Sequence, residues 1–93
     1  MNLKKDRWLG NQWASIDITP VDDQYFLLIL QALAEAYEID MPEVIDTIDG
    51  YAADFVIDDV EGTFRIDAWT FSLAFADDAL RDEVFNWLLR LKL

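Results

Sequence analysis

Residues 51–75 read YAADFVIDDVEGTFRIDAWTFSLAF, and the alternation in this stretch decides the fold. Tyr51, Ala53, Phe55 and Ile57 fall on one side of an extended chain, since successive strand side chains point to opposite faces. The acidic run DDVEG, 58–62, reads as a turn. Beyond it Phe64 and Ile66 share a face against Arg65 and Asp67, and then Trp69, Phe71, Leu73 and Phe75 share one. The apolar set thus moves from even to odd numbers between Ala68 and Trp69. A period-2 strand needs a turn or a bulge to do that, so 62–75 is two strands or one bulged strand.

Toward the N-terminus the segment 40–50 reads two ways. Asp40, Pro42 and Glu43 suit the start of a short helix that Gly50 ends. Alternatively VIDTI, 44–48, is a strand, and Asp49-Gly50 is the two-residue turn of a hairpin into 51–57. The strand is preferred, because Asp-Gly between β-branched and aromatic residues is a strong hairpin signal. Before it, Thr19, Pro20 and Asp22 look like a cap, a first helical residue and a capping-box carboxylate. Phe26, Ile29, Leu30, Leu33 and Tyr37 follow at helical spacing, which predicts a helix over about 20–38. WASIDI, 13–18, alternates as a strand. At the other end, Leu80, Val84, Trp87, Leu88 and Leu91 form the stripe of a final helix. Asp77 and Asp78 complement its N-terminus, and Arg90 and Lys92 its C-terminus.

The expected architecture is α+β: a mainly antiparallel sheet of four to five strands with two amphipathic helices on one face, in the order β-α-β(3–4)-α. The 93 residues allow a single domain, with 1–11 read as a mobile N-terminal segment. Phe26, Leu30, Leu33, Leu80, Val84 and Leu88 are the expected core.

Composition excludes several chemistries. There is no histidine and no cysteine, so disulfides, thiolate or imidazole metal sites and His-based triads are impossible. An oxygen-only cation loop would need ligands at alternating positions and a late glutamate. DTIDGYAADFVI, 46–57, places Ile48 at the second ligand position and ends without the glutamate, and DDVEGTFRIDAW, 58–69, fails similarly. No metal and no cofactor is expected. Ser15 and Ser72 lie in strands without a base to activate them, the three glycines do not cluster, and no catalytic residue is assigned. The expectation is a non-enzymatic protein.

The charge pattern carries the functional reading. The net charge is −12, and residues 8–64 hold thirteen carboxylates and no lysine or arginine. Such a field repels nucleic-acid phosphate and anionic membrane. The apolar runs are short for a bilayer span, the basic start lacks the apolar stretch of a signal peptide, and the expected location is the cytosol. An acidic surface suits a basic protein partner, in the way a small inhibitor or immunity-like protein covers a cationic site. The candidate contacts are Asp46, Asp54, Asp58, Asp59 and Glu61. The second reading is a homodimeric structural or accessory domain whose acidity only keeps it soluble. For that reading the apolar candidates are Trp8, Leu27, Leu28, Phe85 and Leu89, which widen the helical stripes or sit among polar neighbours. Trp69 and Trp87 are read as sheet packing and core.

Overall fold

The computed structural model describes residues 1–93. Six strands form one antiparallel sheet, and two helices cover one of its faces. The strands are β1 (Asn2–Arg7), β2 (Ala14–Thr19), β3 (Ile45–Asp46), β4 (Tyr51–Ile57), β5 (Val60–Ile66) and β6 (Phe71–Phe75). Helix α1 spans Gln24–Ala36 and α2 spans Asp78–Arg90. The spatial order is β1-β2-β6-β5-β4-β3, so α1 carries the chain from β2, next to one edge, to β3 at the other. No helix is long and apolar enough to cross a membrane.

The α+β class and the shared helix face agree with the sequence, and the strand count does not. Residues 2–7, read as part of a mobile segment, pair with β2 from Asn2↔Thr19 to Arg7↔Ala14. The sequence hides this strand because its only buried contact is Leu3, while its lysines protect an exposed edge. The parity change near Trp69 is a true turn: Ile66 faces Phe71, and Asp67 N–H donates to the Thr70 carbonyl at 2.9 Å. Trp69 sits at that turn and is 86% exposed, which corrects its reading as sheet packing.

The first helix starts later than predicted. Thr19 ends β2, and α1 begins at Gln24 after Asp23, which makes no side-chain cap. Asp22 instead accepts from the Gln24 N–H at 3.0 Å, bracing the approach. At the far end Glu38 adopts φ 55°, Glu38 N–H donates to Glu35 and Ile39 N–H to Ala34. That is a Schellman stop with glutamate where glycine is usual, and it turns the chain back along α1.

The hairpins also differ from expectation in an instructive way. Ile45 faces Ala52 and Asp46 faces Tyr51, so the β3–β4 turn centres on Ile48-Asp49 and not on Asp49-Gly50. Neither central residue has a positive φ. Gly50 is required for space, because a Cβ there would run into the Ile66 carbonyl. The left-handed two-residue turn lies in the next hairpin, where Asp58 and Asp59 have φ 51° and 64° between the paired Ile57 and Val60.

All six predicted core residues are buried in one cluster with Ile16, Ile18, Phe55, Phe64, Leu73 and Phe75. Phe26 stacks on Phe64 and Phe64 on Phe71, with centroids 4.6 and 5.3 Å apart. Gly62 lies opposite both Phe55 and Phe75, and their rings meet edge-on at 5.8 Å beside it. A side chain at Gly62 would strike the Phe55 ring.

Candidate functional site

Ionic contacts are confined to one side of the molecule. Lys5 pairs with Asp82 at 3.1 Å, Arg7 with Asp78 at 2.6 Å, and Arg81 with Asp82 at 2.7 Å. Cross-strand register explains this: Lys5 and Arg7 share the helix face with Ile16 and Ala14, so both reach α2. Lys5 also lies 4.9 Å above the Phe85 ring. Arg81 is buried and donates to the carbonyls of Asp6, at 2.9 Å, and Ser15, at 3.1 Å. Sequence reading missed Arg81, although Arg81, Val84 and Leu88 stand at i, i+3 and i+7, in phase with the buried stripe.

The thirteen carboxylates of residues 8–64 make no ion pair at all. Four of them, Asp22, Asp23, Asp46 and Asp49, gather at the end of the sheet where three connections meet: β2 to α1, β3 to β4, and β5 to β6. An open groove of about 660 Å³ lies there, lined by Asp22, Asp23, Asp46, Asp49 and Asp67 together with Ile48, Val21 and Tyr51. Ile48 is fully exposed at its rim. Asp67 accepts from the Trp69 and Thr70 N–H groups, both at 2.7 Å, and these bonds hold its carboxyl below the usual range. No three carboxylates converge as a metal site would require.

The five predicted acidic contacts are spread over three places. Asp46 lines the groove. Asp58 and Asp59 form the turn at the opposite end of the sheet. Asp54 and Glu61 flank a hollow on the helix-free face, lined also by Trp8, Trp13, Val56 and Arg65. There Asp54 accepts from the Thr63 hydroxyl at 2.7 Å, and Arg65 donates to the same hydroxyl at 3.3 Å. The sequence presents the groove residues Asp22, Asp49 and Asp67 as capping, turn and strand residues and not as contacts. Each lies in a connection, and only the fold brings those connections together.

The predicted apolar residues do not form one patch. Leu27 and Leu28, 50% and 47% exposed, stand on α1. Leu89, 62% exposed, stands on α2. Phe85 is half-buried beneath Lys5, and Trp8 is half-buried against the opposite face of the sheet. Trp87 packs edge-on to Tyr37 at the margin of the core. Tyr37 in turn donates to Glu83 at 2.7 Å, tying α1 to α2; burial and then that carboxylate push its phenol pKa up.

The helix-free face is polar but not uniformly wet. Ser15, Thr63, Ser72 and Ala74 are buried on it. Asp17, beside Asp6, has its carboxyl pushed up by burial first and by the Asp6 charge second, against a smaller pull from Lys4.

Comparison with known proteins yields no relative: no family model matches the chain, and no curated protein or solved structure matches it either.

Proposed function

We propose that this chain is a non-enzymatic binding module for a basic protein, acting as an inhibitor or immunity-like protein that covers a cationic site. The observation that carries this reading is the separation of charge. Every ion pair lies between β1 and α2 or within α2, while the carboxylates of residues 8–64 make none. Unpaired carboxylates repel one another, which costs stability, and a positive partner relieves that cost on binding. The loop-end groove adds Ile48 and, on the neighbouring turn, Trp69 as exposed apolar anchors amid the acid.

Parallel capture from the source cell with the wild-type chain and with an Asp46→Asn, Asp49→Asn, Asp54→Asn variant tests the reading. It expects a protein with a positive surface, retained by the wild type, lost by the variant, and released by salt. Equal retention by both chains, or a partner with no positive surface, contradicts it.

The exposed Leu27, Leu28 and Leu89 favour a second reading, a homodimer through the helical layer. Sedimentation across micromolar concentrations decides it: a strict monomer removes the dimer and leaves the partner-binding reading untouched.

A further inference from the structure

We infer that the outer edge of β4, residues 53–57, receives an extended segment of the basic partner as a seventh strand of the sheet. The inference rests on the proposed binding function and specifies its mode. β4 runs from Tyr51 to Ile57 and pairs along its whole length with β5. On its other side β3 covers only Tyr51 and Ala52. The chain before β3 does not extend the ladder. Pro42 has no N–H to give. Ile39 and Met41 share a hollow with Gln31, Ala34 and Glu35 of α1, on the helical side of the sheet. Residues 53–57 therefore keep a row of backbone donors and acceptors with no strand beside them.

Native edges of this kind are blunted with several charged side chains, most often lysine, with proline or with a bulge. β4 has none of these within 53–57, and its one charge is Asp54. Val56 beside it is 54% exposed, whereas Ala53, Phe55 and Ile57 are buried on the helix side. Glu61 faces Val56 across the β4–β5 ladder, and Asp58 and Asp59 follow at the strand's end. An added strand would place alternate side chains beside Asp54 and Val56, where lysine or arginine fits against Asp54, with Glu61 one strand further in and Asp58 and Asp59 at the strand's end. The intervening side chains would extend the apolar face of Phe55 and Ile57. The segment recognised is thus an extended one alternating basic and apolar residues.

A second copy is a poor occupant. Two β4 edges side by side would set like charges against each other. The opposite edge, β1, is basic, but Lys5 and Arg7 are already committed to Asp82 and Asp78, and Lys4 lies across from Asp17 of β2.

Three blocked peptides test the inference: one alternating lysine and valine, the same peptide N-methylated at every second residue, and one alternating glutamate and valine. The readouts are binding affinity and amide exchange along the chain. The expected result is that the lysine peptide binds and slows exchange within 53–57. N-methylation should weaken it by about ten- to a hundredfold, because two or three backbone hydrogen bonds are lost. The glutamate peptide should not bind. Equal binding of the plain and methylated peptides, or protection only around 46–51 and 67–69, overturns strand addition while the basic-partner reading stands. Equal binding of the lysine and glutamate peptides contradicts the basic-partner reading itself. No binding of any peptide, or edge-to-edge assembly of the chain alone, overturns strand addition.

Discussion

The two edges of the sheet treat charge in opposite ways. At β1 three cations are satisfied inside the molecule: Lys5 and Arg7 by α2 carboxylates, and Arg81 by Asp82 and two strand carbonyls. At β3 and β4 the carboxylates make no ion pair, the ladder stops after two residues, and apolar side chains stand in solvent. The first edge is built to hold the fold together. The second carries like charges that no ion pair offsets. Net charge alone does not show this, since it reports only the sum.

The largest effects should not distinguish the two sides, because one core runs beneath both. Leu33→Ala, under the acidic side, and Leu88→Ala, under the paired side, should each cost about 2–5 kcal/mol in denaturant unfolding. A cost below 1 kcal/mol for either would break the continuity of that core. The next effect should be one-sided. Arg81→Met leaves two strand carbonyls without their donor and should cost about 2–4 kcal/mol. Arg65→Met, on the helix-free face, should change stability by less than about 0.5 kcal/mol. Similar costs for the two would erase the contrast between the edges.

A smaller change should go in the stabilising direction on the acidic side. Asp58 and Asp59 both occupy the left-handed region and stand side by side with like charge. Replacing them with Asn and Gly should stabilise by about 0.5–1 kcal/mol, after the greater unfolded-state freedom of glycine offsets part of the relieved strain. A loss of stability would mean that these carboxylates have partners in the fold.

The smallest effects are pH-dependent and opposite in sign. The Asp82 carboxyl is held low by hydrogen bonds from Arg81 and then Lys5. Its contribution is present above the unfolded aspartate pKa and is lost as pH falls through the folded value. Asp17 is pushed up, so its contribution is present below the unfolded pKa and is lost as pH rises through the folded value. Asp17→Asn should therefore raise the unfolding midpoint at neutral pH and leave it unchanged in acid, while Asp82→Asn should lower it at neutral pH. Melting curves at several pH values check both signs.

The legible parts of the sequence were those with strong period. Both helices and the inner strands follow from apolar spacing, and the parity change at Ala68-Trp69 marks the centre of a real turn. Local chemistry misled in three places. Thr19-Pro20 resembles a helix start, but pairing with Asn2 keeps Thr19 in β2. Asp49-Gly50 resembles a left-handed turn, but its glycine is needed for contact with Ile66, and the left-handed turn falls on two aspartates. The basic N-terminus has no strand pattern, because its side chains serve an edge and an ionic seam, and neither leaves alternation. The candidate surface was legible as charge but not as place. Asp22, Asp46, Asp49 and Asp67 come together only after three separate connections are laid at one end of the sheet.

If the unpaired acid serves association with a basic partner, the field should set how fast the two meet. The deciding quantity is the association rate of the partner recovered from the source cell. That rate is measured for the wild-type chain and for an Asp54→Asn, Asp58→Asn, Glu61→Gln variant at low and high salt. Screening shortens the reach of the field from about 30 Å at 0.01 M to about 3 Å at 1 M ionic strength. The wild-type rate should fall by about tenfold or more across that range, and the variant should start slower and fall less. Equal rates for the two chains, unchanged by salt, would rule out steering and leave the acidic residues as solvation alone.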